Sequence, residues 1–217
     1  MSAVLERPAV RWDGIQWPGA TVAILASGPS LTVDQCDQVQ AWRASAGAAG
    51  APRRCIAVNT TFRRAPWADV LYACDAQWWI AFRKEVDEAF SGARWTQDQA
   101  AVVYGVRRIE SVRGKGLSRT PGVIHQGGNS GYQAINLAWQ AGAARILLLG
   151  FDMQGTHWHG RYVNGLTNTA AHLFEQWLVE FKPLAADLKA EGVDVINCTP
   201  GGRLECFPRS ALSEELT

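Results

Sequence analysis

Short apolar runs alternate along the chain with longer stretches of helical character. The clearest run covers residues 146–149, where Ile-Leu-Leu-Leu shows no polar alternation. Such a run is typical of a strand covered on both faces, as in a parallel sheet. The other predicted strands cover residues 21–26, 55–58, 69–74, 101–104 and 194–197, and the predicted helices cover residues 35–43, 76–90, 132–140 and 169–188.

This order of elements predicts one Rossmann-like α/β domain over residues 1–217, with its core at residues 20–205. We expect a doubly wound, mostly parallel sheet with helices on both faces and a small loop or lid insertion. Residues 91–122 are basic and contain glycine, and two interpretations stay open there: a solvated loop, or a mobile lid that meets phosphates or a polyanionic acceptor. Residues 1–19 are polar and are expected to wrap the surface of the domain.

A glycine-rich loop, Gly127-Gly128-Asn129-Ser130-Gly131, immediately precedes one of the predicted helices. Glycines let the backbone approach a ligand closely, and the free N–H groups at a helix start favour an anion. Ser130 adds a hydroxyl and Asn129 an amide. The loop therefore predicts a site for a nucleotide phosphate. The alternative is a tight turn whose glycines serve only the backbone geometry.

A second glycine-containing turn, Ser27-Gly28-Pro29-Ser30, follows the first predicted strand. It matches neither G-x-G-x-x-G nor a Walker loop, which disfavours a dinucleotide dehydrogenase and a P-loop ATPase. Either Ser30 or Thr32 is expected to cap the helix that follows. We expect the N–H groups of both glycine turns to converge on one charged leaving group.

Polar residues stand at the ends of three more strands. Asn59 follows the second strand, where its amide reads a base or ribose or makes a local turn. Asp75 follows the third strand, as a helix N-cap or as a ligand. Asp152 follows residues 146–149, at the carboxyl edge where open α/β sheets bind their ligands.

His157 and His159 come shortly after Asp152. In an extended segment, His-x-His places both imidazoles on one side. One interpretation is a general base or substrate contact, since the ordinary pKa of histidine lies near working pH. A second is a loop with two unrelated histidines, and a third is a metal site completed by Asp152. We expect the first, with Asp152, His157 and His159 as catalytic candidates and no assigned metal ligand.

Net charge, cysteine content and the lack of long apolar segments indicate which binding partners and which cellular compartment to expect. A net charge of +1 argues against a broad electrostatic footprint for nucleic acid or an anionic membrane. The five cysteines contain no C-x-x-C pair, which disfavours a disulfide framework and a zinc ribbon and fits a reducing cytosol. The first residues lack the apolar core of a signal peptide, and no run approaches a membrane span. We therefore expect a cytoplasmic protein without a membrane span.

Four motifs occur in order at the predicted strand ends. They are Ala26-Ser27-Gly28-Pro29-Ser30-Leu31, Val58-Asn59, Asn129-Ser130-Gly131 with Leu149-Gly150-Phe151-Asp152, and Asn197-Cys198-Thr199-Pro200. Together they resemble the bacterial sialyltransferases that have a single Rossmann-like domain. The same pattern is similar to a related group that includes archaeal 6-hydroxymethylpterin diphosphokinases and many phage-borne proteins. The resemblance covers about residues 21–205.

The resemblance implies particular roles for these residues. In the sialyltransferases, the first turn and the asparagine contact a cytidine nucleotide, and the Ser-Gly loop contacts its phosphate or ribose. The implied nucleotide contacts here are Gly28, Pro29, Ser30, Asn59, Ser130, Gly131 and Asp152. A histidine beyond the aspartate is the base in that family, and His157, His159 and His172 are the candidates. Tyr162 is the tyrosine nearest to those that steady the leaving phosphate.

The resemblance also implies a reaction: transfer from a nucleotide-activated donor, as in a nucleotide-sugar-dependent glycosyltransferase that needs no cofactor. One alternative is a magnesium-dependent pyrophosphokinase acting on a small heterocyclic alcohol, for which Asp75 and Asp152 would suit the cation. Another is a non-catalytic nucleotide-binding module. The expected acceptor is a small molecule, a glycan or a modified nucleic acid, and a homo-oligomer stays open.

Overall fold

The computed structural model describes residues 13–45, 50–163 and 165–216. Within them, the chain forms a seven-stranded sheet and a two-stranded sheet, both parallel. The strands are β1 (Thr21–Leu25), β2 (Arg53–Val58), β3 (Val70–Tyr72), β4 (Ala93–Thr96), β5 (Arg107–Arg108), β6 (Glu110–Val112), β7 (Val123–His125), β8 (Arg145–Leu149) and β9 (Asp194–Asn197). The helices are α1 (Val33–Ala44), α2 (Ala76–Ala89), α3 (Ser130–Gln140), α4 (Ala171–Ala190) and α5 (Leu212–Glu215), with 3₁₀ helices over Asn59–Arg63 and Gln99–Tyr104.

The central sheet is covered on both faces, as its apolar strands predict. Along β1, Val22 and Ile24 belong to the buried cluster that includes residues of α3 and α4. Ala23 and Leu25 belong to the opposite cluster, which includes residues of α1 and α2. This arrangement confirms the predicted α/β fold, a Rossmann-like sheet with helices on both faces.

The strand order is β5-β4-β3-β2-β1-β8-β9, so the sheet grows from β1 in both directions. Open parallel sheets bind their ligands beyond the carboxyl ends of the strands, where the strand order reverses. The reversal lies between β1 and β8, which pair from Thr21↔Arg145 to Leu25↔Leu149. The turns that follow these two strands therefore stand side by side.

The first helix begins as its sequence predicts. Thr32 Oγ1 accepts a hydrogen bond from the Gln35 amide at 3.1 Å, and Gln35 Oε1 accepts one from the Thr32 amide at 3.1 Å. This reciprocal pair is a capping box. Ser30, the other candidate cap, instead donates its hydroxyl to Asp152.

The predicted strand over residues 101–104 is wrong, because this stretch lies in the 3₁₀ helix Gln99–Tyr104. Asp98 accepts a hydrogen bond from the Ala100 amide at 2.9 Å, and Gly105 ends the turn in a left-handed conformation with φ of 74°. Val103 is 78% exposed, so the apolar pair there does not belong to a buried strand. The residues that begin and end the 3₁₀ helix, Asp98 and Gly105, therefore determine the structure here more than the apolar pattern does.

Residues 91–122 contribute strands β4 and β5 at one edge of the central sheet and then cover α3. All eleven residues of α3 are buried. Gln140 Nε2 donates to the carbonyls of Ser118 and Thr120 at 2.9 and 3.0 Å, and Tyr132 Oη donates to the Gly116 carbonyl at 2.8 Å. These bonds hold residues 116–120 against the helix.

Part of the predicted surface wrapping by residues 1–19 falls on residues 1–12, which lie outside the described residues. Of the remainder, Trp17 is buried in the core. Residues 46–49, in the predicted loop before β2, also lie outside them. None of the described helices is long and apolar enough to cross a membrane.

Candidate functional site

A cleft of about 1190 Å³ opens at the carboxyl edge of the central sheet. Its walls come from the residues that follow β1, β2, β3, β4 and β8, from the start of α3, and from the segment that leads into α4. This is the edge at which parallel sheets present their loops to ligands. Pockets for small molecules typically enclose about 300–1,000 Å³, so the cleft has room for a donor and an acceptor together.

The glycine-rich loop enters this cleft at the start of α3. Gly127 and Gly128 have φ of 52° and 77°, the left-handed region that glycine adopts without strain. Asn129 is the N-cap, and its Oδ1 accepts a hydrogen bond from the Tyr132 amide at 2.8 Å. The oxygen of Asn129 therefore serves the helix, and only its amide nitrogen is left for a ligand.

Three hydrogen-bond donors of this loop have no protein acceptor in the part of the chain that the structure describes. Asn129 Nδ2 is buried without a partner. The backbone amides of Ser130 and Gly131, the first two of the helix, also donate to no described group. All three residues line the cleft. Unpaired donors at a helix N-terminus form an anion-binding site, because the helix dipole adds to their attraction.

The ends of β2 and β3 meet this loop at Ser130. Its hydroxyl donates to Asn59 Oδ1 at 3.3 Å and accepts from the Cys74 amide at 3.3 Å. Asn59 holds φ at 51°, a left-handed conformation that costs an asparagine less than other non-glycine residues. The structure thus brings together two residues that the resemblance paired, Asn59 and Ser130, at one point of the cleft wall.

The first glycine turn is organised differently from the expectation. The Gly28 amide donates to the Gly150 carbonyl at 2.9 Å, and the Ser30 amide donates to Asp152 Oδ1 at 3.2 Å. Gly28 lines the cleft, whereas Pro29 and Ser30 do not. The predicted convergence of two sets of free amides is therefore wrong, because tertiary bonds use the amides of this turn.

Asp152 fastens the turn after β1 to the end of β8. Its two oxygens accept the Ser30 amide and, at 2.9 Å, the Ser30 hydroxyl. A Cβ on Gly28 would lie 1.9 Å from Asp152 Oδ2, so only glycine permits this approach. Burial raises the pKa of the Asp152 carboxyl, and the two bonds from Ser30 act in the opposite direction. Asp152 lines the cleft, but its carboxylate is engaged in holding the site together.

Asp75 stands at the N-cap position of α2, yet its side chain does not cap the helix. Asp98 does so instead, since its Oδ2 accepts from the Ala76 amide at 2.9 Å. The exposed carboxylate of Asp75 accepts a hydrogen bond from the Cys74 thiol at 3.2 Å. Both aspartates line the cleft. The cap role predicted for Asp75 is therefore wrong, and the carboxylate is oriented for other contacts.

His157 and His159 lie side by side, but in a turn closed by a bridge between His157 and Gly160 and not in the extended segment that was expected. Their ring centroids are 4.9 Å apart and their planes differ by 4°. His157 lines the cleft, and its Nδ1 is buried without a partner in the described chain. Burial lowers the pKa of His157, so its imidazole is uncharged near neutral pH. An uncharged imidazole with a free nitrogen is able to accept a proton.

Two of the remaining alternatives fail on geometry. Asp152, His157 and His159 do not form a metal site, since no group of three or more potential ligands is close enough within the described residues. His172 is exposed and does not line the cleft, which leaves it without a contact to a bound donor. Tyr162 does line the cleft, and its hydroxyl lies 2.8 Å from Thr60 Oγ1.

The cleft also contains residues to which the sequence assigned no role in the site. Trp78 is buried in its wall, with Nε1 3.4 Å from Thr60 Oγ1. Arg161 and Arg203 are the arginines that line the cleft among the described residues, and Arg203 lies 2.7 Å from Glu175 Oε1. The basic stretch within residues 107–119 does not line it. Arg203 directly follows the Gly201-Gly202 turn beyond β9, which was the available signal for a residue at this edge.

No protein-family model, no curated protein and no solved structure matches this chain. The similarity to sialyltransferases and pterin diphosphokinases therefore stays a prediction from four short motifs.

Proposed function

We propose that the protein is a transferase that uses a nucleotide-activated donor, with a nucleotide sugar as the donor class. One observation carries the proposal: three donors without a protein acceptor in the described chain lie at the start of α3, on residues that line a large cleft at the carboxyl edge of the sheet. Such donors attract the phosphate of a nucleotide, and this edge is where doubly wound sheets bind nucleotides.

In the proposed reaction, the loop amides of Ser130 and Gly131 bind the phosphate that leaves with the nucleotide. They stabilise the negative charge that develops there, which is the largest electrostatic demand of such a transfer. The acceptor oxygen attacks the donor carbon, and the bond from that carbon to the phosphate oxygen breaks. The nucleotide leaves with the electron pair, and the proton of the acceptor hydroxyl passes to His157.

A second function, pyrophosphoryl transfer from a magnesium-bound triphosphate, is favoured by the carboxylates in the cleft. Mg²⁺ is usually held by one or two carboxylates together with substrate phosphates. Asp75 and Asp98 line the cleft, and the exposed carboxylate of Asp75 accepts only the weak thiol donor of Cys74 among the described residues. Both oxygens of Asp98 already accept backbone amides, so Asp75 offers the available carboxylate for such an ion, which would neutralise charge on a bound triphosphate.

Binding measurements separate these proposals. Thermal shifts with CMP, UDP, GDP and ATP, each with and without magnesium, identify the nucleotide. Stabilisation by CMP or UDP without metal supports the sugar donor, and a magnesium-dependent effect of ATP supports the diphosphokinase. Tight binding without product on any acceptor, unchanged by His157→Ala, would support a non-catalytic module.

Asn129→Asp tests the phosphate site directly. Aspartate caps a helix as well as asparagine does, so α3 is expected to stay intact. The substitution replaces the unpaired Nδ2 donor by a negatively charged oxygen, and we expect nucleotide affinity to fall about 10- to 100-fold. Gln40→Glu makes the same chemical change on the exposed face of α1 and serves as the control. Equal affinity in Asn129→Asp and the parent protein would contradict the proposed site.

A further inference from the structure

The segment His157-Trp158-His159 lies in a tight turn that a bridge between His157 and Gly160 closes. Trp158 faces the sheet, where its amide donates to the Ser27 carbonyl at 3.0 Å and its Nε1 donates to Thr61 Oγ1 at 3.2 Å. Ser27 follows β1 and Thr61 follows β2, so these two bonds fix the segment to the carboxyl ends of two central strands. The backbone that carries both histidines is therefore anchored independently of their own contacts.

The two imidazoles form a parallel stack, and the Trp158 ring meets His159 edge-on with centroids 5.1 Å apart. Tyr162 packs against both rings, with centroids 4.9 Å from His157 and 4.8 Å from His159. His157 lines the cleft and His159 does not, so His159 lies behind it. One face of the His157 ring is thereby covered by an aromatic ring that a ligand does not touch.

The surroundings keep this stack free of charge near neutral pH. Burial, then the nearby His157 and Arg63, lower the pKa of His159 to about 4. Arg64 acts in the same direction, and Asp75 acts on Tyr162, whose pKa is raised mainly by burial. His159 Nε2 is buried without a partner in the described chain, so no hydrogen bond of this nitrogen explains its place in the fold.

We propose that His159 is a positioning residue for His157: its ring seals one face of the His157 imidazole and holds that imidazole in a single orientation toward the cleft. This inference rests on the proposed function, in which His157 is the base. The role belongs to the ring surface of His159 and not to its nitrogens. An aromatic ring without nitrogen is therefore able to replace it, whereas a small side chain is not.

Histidine-selective NMR tests this without any substrate, because the chain contains only four histidines. In the parent protein and in His159→Phe, we expect His157 to titrate below the ordinary histidine pKa of about 6.5. In His159→Ala, water reaches the exposed face, and the pKa of His157 is expected to rise toward that value. His159→Gln fills the space without an aromatic face and gives an intermediate result. Val163→Ala, at a side chain that is 97% exposed, is the control.

The kinetic arm uses whichever transfer the nucleotide screen identifies. We expect His159→Ala to lower kcat about 10- to 100-fold through the misplaced base, and to move the acid limb of the pH–rate profile upward. His159→Phe is expected to keep the position of that limb. The proposal is overturned when His157 titrates identically in the parent and His159→Ala, or when His159→Phe behaves as His159→Ala does.

The two arms also separate this inference from the proposed function. A changed His157 titration in His159→Ala, together with full transfer activity in His157→Ala, would leave the stack in place but remove His157 as the base. An unchanged titration, together with activity lost in His157→Ala, would keep the base and discard the role of His159.

Discussion

Protonation links the burial of His159 to the stability of the protein. The folded state takes up a proton at His159 only near a pKa of about 4, whereas the unfolded chain does so near 6.5. The unfolded state thus binds more protons as the pH falls, so this contribution is present above pH 6.5 and is lost progressively toward pH 4. His159→Phe cannot take up that proton, and its free energy of unfolding is expected to fall less steeply across this range.

Urea denaturation at several pH values between 7 and 4.5 checks this expectation. Asp152 acts in the opposite direction, because a carboxyl whose pKa is raised in the folded state favours folding at low pH. Asp152 is present in both the parent protein and His159→Phe, so its contribution cancels when their free energies of unfolding are compared. Parallel stability curves for the parent protein and His159→Phe would show that His159 is accessible to protons in the folded state.

The left-handed backbone at Asn59 gives a second test confined to one residue. Asn59→Gly and Asn59→Ala both remove the acceptor of the Ser130 hydroxyl, but only alanine is strained at φ of 51°. We expect Asn59→Gly to be more stable than Asn59→Ala by about 1 kcal/mol, although glycine usually costs stability. Equal midpoints in chemical denaturation would mean that the backbone relaxes around alanine.

The start of α2 distinguishes the two aspartates near it. Asp98→Ala removes the acceptor of the Ala76 amide and of the Ala100 amide, so we expect a loss of about 1–2 kcal/mol. Asp75→Ala removes a carboxylate that caps nothing, and a loss of less than about 0.5 kcal/mol is expected. Urea denaturation of the two variants side by side measures this. A larger loss at Asp75 would restore the cap predicted from the sequence.

The start of α2 also shows where sequence reasoning about elements succeeds and fails. The position of the helix follows from local pattern, and so do the strands, because apolar runs report burial directly. The cap is supplied by Asp98, which follows β4 and is separated from Ala76 by a whole helix and strand. Residues 101–104 were predicted to be a strand because they contain two valines, but both valines are exposed. The residues that determine the 3₁₀ helix there are Asp98 at its start and Gly105 at its end.

The candidate site could be predicted from the sequence where it depends on one rule: the carboxyl ends of parallel strands lie at the same edge of the sheet. Asn59, Ser130, Asp152 and His157 all come from such ends or the segments just beyond them, and the parallel sheet brings them to one cleft. Their bonding partners were not predictable, because pairs such as Ser30 with Asp152 are set by the strand order. Because of this strand order, the turn after β1, which was expected to bind phosphate, instead bonds to Asp152 and has a structural role.

Residues 107–119 could act as a fixed part of the fold or as a lid that closes on a bound nucleotide. Hydrogen exchange with and without a saturating nucleotide distinguishes these two behaviours. These residues lie outside the cleft and run from the edge strand β5 to the stretch that covers α3, where Leu117 is buried and its amide donates to Asp187 Oδ2 of α4 at 2.9 Å. We expect nucleotide to slow exchange at residues 128–131 and 153–157, which line the cleft or flank its lining residues. Exchange over residues 107–119 is expected to stay unchanged.

A lid would give the opposite result: the backbone amides of its arginines would be strongly protected from hydrogen exchange when nucleotide binds. Arg107→Glu with Arg108→Glu adds a control, because both side chains are exposed on the edge strand β5. Charge on an edge strand prevents pairing with other chains, so this pair has a use that does not involve phosphate. Unchanged nucleotide affinity in the double variant would leave the attraction for phosphate with the short loop at α3, in agreement with a net charge of only +1. A large loss of affinity would instead place part of the binding energy at the edge strand β5.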